Sequence, residues 1–189
     1  MADWRSLPPD LPVPEDDGAA EHLTGSALPP VELPSTTGDS VRLDRLVGRT
    51  VVFAYPRTGR PGQELPGGEE HWNSIPGARG CTPQACSFRD EHASFVERGA
   101  RVLGLSTMET GEQREAAERL RLPYPLLSDA RLELAGALRL PAFEVEGTTL
   151  LKRLTLFVCN GRIDHVIYPV FPPDRNGEAA LERLAALSC

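Results

Sequence analysis

Two cysteines, Cys81 and Cys86, lie close together where a glycine-rich segment runs into a predicted helix. A cysteine at the N-terminus of a helix faces unpaired backbone N–H groups and the positive end of the helix dipole, and both favour the thiolate over the thiol. Arg79, two residues earlier, adds a positive charge nearby. Because the thiolate is the nucleophilic form of cysteine, this placement predicts redox or nucleophilic chemistry at Cys81.

The spacing of the two cysteines sets a geometric condition on that chemistry. On an ideal helix, residues five apart have Cα atoms roughly 8.6 Å apart, whereas a disulfide needs Cα atoms within about 7 Å. The pair therefore cannot bridge while the helix is intact. Either the first turn, which contains Pro83, unwinds in each cycle, or the two sulfurs never meet.

Short apolar runs and amphipathic stretches predict the elements that position these cysteines. The predicted strands cover residues 41–43, 50–55, 101–106, 154–158 and 163–168, and the predicted helices cover 82–96, 112–122, 131–138 and 177–187. Residues 125–129 are expected to be a connecting segment. The Asn160-Gly161 pair predicts a hairpin turn between the last two strands. This order predicts an α/β fold, with a mixed central sheet flanked by helices on both faces.

Proline and glycine mark two further segments. Residues 1–26 are rich in proline and acidic side chains and are expected to form an extended N-terminal arm, mostly solvated, before a domain that spans 27–189. Docking of Trp4 and Leu7 on the domain or on a second subunit is the alternative. Residues 57–80 are predicted to be a long inserted loop, and Trp72 indicates that part of it packs.

Composition limits the classes of function. The chain has 189 residues with 40% apolar and 25% charged side chains, which suits one globular domain. A net charge of −7 argues against nucleic-acid binding. No apolar run approaches the roughly 20 residues of a membrane span, and the start of the chain does not resemble a secretory signal. The default expectation is a cytoplasmic protein.

The remaining cysteines and histidines suggest less. A zinc site formed by Cys81, Cys86, His71 and His92 is an alternative, but the spacing fits no common zinc pattern. Cys159, beside the predicted hairpin turn, is expected to be a small thiol that is buried or partly exposed. Cys189 is expected to be mobile.

Several short motifs together resemble one protein family. They are the strand that ends in Tyr55-Pro56, the run Gly80-Cys81-Thr82-Pro83-Gln84-Ala85-Cys86, then Phe88-Arg89-Asp90, Leu126-Leu127-Ser128-Asp129 and Arg153-Leu154-Thr155. In this order they resemble the peroxiredoxins, most closely the Q-type branch, from about residue 27 to 187. The resemblance implies a thioredoxin-like fold and reduction of hydrogen peroxide or organic hydroperoxides with no cofactor, neither metal nor flavin.

The resemblance also implies roles for single residues. Cys81 would be the peroxidatic cysteine and Cys86 the resolving one, and a thioredoxin-like reductant would restore both thiols. Arg153 matches an arginine that stabilises the thiolate and binds the peroxide. No nucleic acid or membrane is implied as a partner, and the protein is expected to be a monomer or a homodimer.

Three departures from the family pattern surround Cys81. The proline and the cysteine of the family are seven positions apart, whereas Pro56 and Cys81 are 25 apart, an insertion of 18 residues. Ala78 stands where the family has a threonine that binds the peroxide. The hydroxyl of Thr58, Ser74 or Thr82 is a candidate replacement, and Gln84, in place of a glutamate, keeps a hydrogen-bonding role.

Two other functions stay open on the sequence. A thioredoxin-like thiol–disulfide oxidoreductase is one, although the usual Cys-x-x-Cys motif is missing. A redox sensor without turnover, which switches through Cys81 and Cys86, is the other.

Overall fold

The computed structural model of the protein describes residues 7–187 and 189. Its strands are β1 (Glu32–Pro34), β2 (Ser40–Arg42), β3 (Arg49–Ala54), β4 (Ala100–Ser106), β5 (Leu126–Ser128), β6 (Ala142–Val145), β7 (Thr148–Leu151), β8 (Leu154–Cys159) and β9 (Arg162–Ile167). Its helices are α1 (Gly68–Ser74), α2 (Cys81–Asp90), α3 (His92–Glu97), α4 (Thr110–Leu120), α5 (Glu133–Leu138) and α6 (Asn176–Ala185). In this part of the chain, no helix is both long enough and apolar enough to cross a membrane.

Strand β3 is the central strand of the main sheet, and five of its six residues are buried. The strand order is β5-β4-β3-β8-β9. Strands β4 and β5 run parallel to β3, whereas β8 pairs with β3, and β9 with β8, in the antiparallel sense. At the predicted hairpin turn, Asn160 and Gly161 have φ values of 48° and 76°, the left-handed conformations that a tight turn between these strands requires.

Side chains of β3 alternate between the two faces of this sheet. Val51 and Phe53 pack with α2, α3 and α6, and the Phe53 ring stacks on Phe88 at 4.4 Å. Val52 and Ala54 pack on the other face, against a cluster that includes side chains of α5. The predicted mixed sheet with helices on both faces is confirmed.

Two of the predicted elements differ in detail. The single helix predicted over 82–96 is wrong at its centre, because Glu91 leaves helical geometry and separates α2 from α3. The turn allows α3 to pack on β4 with Phe95 fully buried. The connecting segment 125–129 contains an edge strand, β5, whose side chains are all buried.

The prediction of a loop over residues 57–80 is wrong for part of that segment. It contains helix α1, and the Trp72 side chain of that helix is 1% exposed. Trp72 lies in a small apolar cluster with side chains of the β6–β7 hairpin, which the sequence analysis did not predict. The Trp72 indole of this helix packs against an apolar surface of the hairpin, far along the chain, and this contact stabilises the helix.

The described end of the N-terminal arm is not a solvated tail. Leu23 is fully buried in the core, and the backbone N–H of Gly25 donates to the Ile163 carbonyl at 2.7 Å. The packed chain therefore begins before residue 27, because the apolar Leu23 side chain of the arm belongs to the core.

The docking alternative concerns two earlier residues. Trp4 lies outside the described residues, whereas a Leu7 methyl group approaches Gly80. Further along the arm, the Asp17 carboxylate accepts hydrogen bonds from Lys152 at 2.6 Å and Tyr168 at 2.7 Å, and these bonds hold the pKa of Asp17 well below its ordinary value. The arm is thus attached to the domain by polar as well as apolar contacts.

The expectations for Cys159 and Cys189 are wrong. The two residues form a disulfide with a Cα–Cα distance of 5.8 Å. Cys159 is the last residue of β8, and Cys189 follows α6, so the bridge joins the sheet to the chain beyond the last helix.

We predict that replacing both Cys159 and Cys189 by serine lowers the free energy of unfolding. The bridge closes a loop with a sequence separation of 30, and a loop of that length contributes about 3–4 kcal/mol through the reduced entropy of the unfolded chain. Urea denaturation of the oxidised proteins measures the difference. With dithiothreitol present the two proteins should be equally stable; a difference that persists there would contradict the assignment to the bridge.

Candidate active site

Cys81 is the first residue of α2, and its side chain is 4% exposed. Gly80 precedes it with a φ of 109°, a conformation that favours glycine. A Cβ atom on Gly80 would lie 2.4 Å from Pro173 Cγ and 2.9 Å from Leu7 Cδ2. The residue before Cys81 is therefore covered by two segments distant in sequence. The Cys81 Sγ also lies 3.6 Å from the Ala78 carbonyl oxygen.

Arg153 faces the sulfur from the connection between β7 and β8, and it is 3% exposed. Its Nη2 lies 3.3 Å from the Cys81 Sγ. The same nitrogen donates to the carbonyls of Gly77, Ala78 and Arg79 at 3.1, 3.3 and 3.2 Å. None of these partners is a carboxylate, so within the described part of the chain no acidic group among these contacts offsets the positive charge that Arg153 presents to the sulfur.

Gln84 holds the other branch of the Arg153 guanidinium. Its side-chain oxygen accepts from Arg153 Nη1, and its Nε2 donates to Asn176 Oδ1 at 2.8 Å. Thr155 Oγ1 donates to the same oxygen at 3.0 Å. This buried chain links α2, β8 and the start of α6. The sequence analysis missed Asn176, because no local motif surrounds it. Thr155 belongs to the Arg153-Leu154-Thr155 motif, but its contact with Asn176 could not be predicted from that motif.

A cavity of about 10 Å³ adjoins Cys81. Its lining residues come from the start of α2 and from the inserted segment: Arg57, Gly59, Leu65, Trp72, Arg79, Gly80, Cys81 and Thr82. Two of these residues carry guanidinium groups. Both of them pair with carboxylates, Arg57 with Glu112 and Arg79 with Glu69, whereas Arg153 contacts the sulfur itself.

The three residues predicted to bind substrate are not brought together. Thr82 lines the cavity beside Cys81. The Thr58 hydroxyl instead donates to Met108 Sδ at 3.5 Å, and Gln84 contacts Arg153. Of the other candidate hydroxyls, that of Ser74 donates to the His71 carbonyl on α1.

Cys86 lies on the same unbroken helix and is half-buried. Arg89 and Tyr124 are close enough to interact with it electrostatically. The Tyr124 hydroxyl donates to the Ala85 carbonyl at 2.6 Å, which fixes this part of α2. Both cysteines are free thiols. The ideal helix distance of roughly 8.6 Å thus applies, and the first turn must open before the sulfurs can join.

The zinc alternative receives no support from the positions of its ligands. Across residues 7–187 and 189, no group of three or more histidine, cysteine, aspartate or glutamate side chains is placed to hold a metal ion.

The chain is similar to proteins of one family. The family described as Redoxin matches residues 23–182. A Mycobacterium tuberculosis protein named among the peroxiredoxins is 32% identical over 167 residues, which cover 87% of this chain and 97% of that protein. The chloroplastic peroxiredoxin Q of Gentiana triflora is 29% identical over 185 residues, 95% of this chain and 76% of the relative.

Solved structures show the same similarity. The crystal structure of peroxidoxin BcpB from Mycobacterium tuberculosis superposes with a TM-score of 0.69 at 31% identity and covers 88% of this chain and 98% of that one. A structure of PrxQ from Xylella fastidiosa has a TM-score of 0.68 over 86% of this chain and 95% of that one. At 19% identity, that second likeness supports the fold alone.

We predict that Arg153→Lys slows the alkylation of Cys81 by iodoacetamide at pH 7 at least about tenfold, because a charge-assisted hydrogen bond contributes roughly 1.5–3 kcal/mol and lysine cannot reproduce the fork of arginine. Mass spectrometry of the Cys81 peptide measures the rate. Arg131→Lys, at a residue whose side chain is 74% exposed, is the matched control and should leave the rate unchanged. Equal rates in the two variants would contradict this role of Arg153.

Proposed function

Because the chain belongs to the Redoxin family and is a peroxiredoxin of the Q type, we propose that Cys81 is the peroxidatic cysteine of this thiol peroxidase. One observation carries the proposal: the buried Cys81 Sγ lies 3.3 Å from Arg153 Nη2 at the start of a helix. A guanidinium and a helix N-terminus both stabilise a thiolate.

In the first step the Cys81 thiolate attacks the terminal, hydrogen-bearing oxygen of a hydroperoxide. The S–O bond forms as the O–O bond breaks, and Cys81 becomes a sulfenic acid. The departing oxygen takes a proton and leaves as water or an alcohol. Negative charge moves from sulfur to this oxygen, and Arg153 stabilises it throughout because the guanidinium is already fixed by Gln84 and three carbonyls.

In the second step Cys86 attacks the sulfenic sulfur, the disulfide forms and water leaves. The first turn of α2 unwinds to allow this, which breaks the contact between Gln84 and Arg153. Later in α2, Ser87 accepts a hydrogen bond from the Gly177 N–H at 3.0 Å. Together with the Tyr124 contact, that bond supports unwinding confined to the first turn.

A thioredoxin-like dithiol then reduces the disulfide by thiol exchange. Membership of the family supports this reductant. The cytoplasm is the location we favour, and the bacterial relative supports it.

We assign the nearby polar residues according to their contacts. Gln84 is a positioning residue, because both ends of its amide are used by Arg153 and Asn176. Thr82 is the hydroxyl that contacts the peroxide, since it lines the cavity beside Cys81. Ala78 contributes its carbonyl to Arg153 and no hydroxyl.

We predict that Cys81→Ser abolishes peroxide consumption, because a serine hydroxyl is not an adequate nucleophile at neutral pH. The assay couples loss of hydrogen peroxide to thioredoxin, thioredoxin reductase and NADPH. The variant that lacks both Cys159 and Cys189 serves as the control and should keep its activity. Turnover by Cys81→Ser would show that another group reacts with the peroxide.

Cys86→Ala should separate the two steps. We expect one equivalent of peroxide to oxidise Cys81 to a sulfenic acid, which dimedone traps, while thioredoxin-linked recycling stops or becomes much slower. Mass spectrometry detects the dimedone adduct of Cys81, and the coupled assay measures the thioredoxin-linked recycling. Normal recycling in this variant would assign resolution to another thiol.

A further inference from the structure

The inserted segment is a fixed wall beside the sulfur. Trp72 lies 6.5 Å, ring centre to ring centre, from Phe143 of β6. Its apolar cluster, which we call the insert core, consists of buried residues of the insert and the β6–β7 hairpin: Leu65, Trp72, Ala78, Val145 and Leu150. Close packing of this kind holds a side chain in one position.

The beginning of the insert is attached to α4 on the opposite side. Arg57 pairs with Glu112, and Arg119 Nη2 donates to the Gly59 carbonyl at 2.9 Å. The insert is therefore held at both ends, by α4 and by the hairpin. A segment held in this way does not withdraw from the sulfur without losing these contacts.

The wall leaves little room at Cys81. The cavity of about 10 Å³ is lined by the apolar residues Leu65 and Trp72 and by the polar residues Arg57, Arg79 and Thr82. A site needs about 10–15 Å³ to hold one water molecule. Hydrogen peroxide, two oxygens with polar hydrogens, matches both the size and the lining after a small adjustment. A hydroperoxide with a bulky organic group does not.

A larger cavity nearby does not reach the sulfur. It has a volume of about 410 Å³ and is lined by Arg153 and Gly77, but Cys81 does not border it. Gly77 borders this cavity, and the Gly77 and Arg79 carbonyls accept from the Arg153 nitrogen that contacts the Cys81 sulfur. An organic group placed there would not deliver its peroxide oxygens to Sγ.

From this geometry we propose that Leu65 and Trp72 form a size filter, which makes hydrogen peroxide the preferred substrate and excludes bulky organic hydroperoxides. The inference rests on the proposed function of Cys81 and adds the substrate class. The specificity comes from the insert, which closes a site that is otherwise built from the start of α2 and Arg153.

Stopped-flow oxidation of the reduced protein by hydrogen peroxide and by cumene hydroperoxide tests the filter. Each rate constant is divided by the rate constant of free cysteine with the same oxidant. We expect the wild type to prefer hydrogen peroxide by at least about 100-fold, and Trp72→Ala and Leu65→Ala to reduce that preference by at least about tenfold.

The matched control is Val145→Ala. Val145 belongs to the insert core but does not line the cavity, so its loss loosens the same cluster without widening the space at Cys81. We expect the wild-type preference in this variant. Circular dichroism checks that each variant is folded, and Leu65→Ala decides the test if Trp72→Ala does not fold.

Several results would overturn the filter. One is a wild type that reacts equally fast with both oxidants, and another is an unchanged preference in the two cavity variants. A preference lost as strongly in Val145→Ala would assign the effect to general loosening. Each of these leaves a Cys81-dependent reaction in place. By contrast, failure of the proposed function appears as no reaction of Cys81 with either oxidant.

Discussion

The buried guanidinium of Arg153 is the interaction around which the site is arranged. A buried charge is costly unless polar groups replace its water, and here three consecutive carbonyls, the Gln84 amide and the Cys81 sulfur do so. The carbonyls converge because the chain turns at Gly77 and Gly80, which have φ values of 77° and 109°. The carbonyls and the amide are uncharged, so a Cys81 thiolate would supply the negative charge opposite the guanidinium. The contacts that position Arg153 therefore also place its charge beside the sulfur.

Helix α2 has to satisfy two opposing requirements. An intact first turn presents its N–H groups to the sulfur and favours the attacking thiolate. The same turn separates Cys81 from Cys86 by more than a disulfide allows. The side-chain contacts differ along the helix: Tyr124 holds it at Ala85, whereas in the first turn the Gln84 side chain contacts Arg153 and Asn176.

Local signals in the sequence predicted the parts of the fold that form locally. Apolar runs identify β3, β4 and β8, and the Asn160-Gly161 pair identifies the last hairpin, because these patterns depend on near neighbours. Helix α1, the burial of Leu23 and the disulfide depend on surfaces far along the chain. The site divides in the same way: the motif around Cys81 and the run at Arg153 are readable, whereas the buried contact at Asn176 and the packing of Trp72 are not.

The meeting of distant segments at Gly80 has a consequence for biosynthesis. Cys81 and Cys86 emerge early, but Arg153 follows Cys81 by 72 residues, and Pro173, which covers Gly80, comes later still. A nascent chain synthesised only through α5 has both thiols and no guanidinium from Arg153 to activate the first one. Domains fold as units once their elements are available. On the role proposed for Arg153, the nascent chain is no more sensitive to oxidants than an ordinary unfolded cysteine-containing chain, and it gains its reactivity only when the residues after α5 are in place.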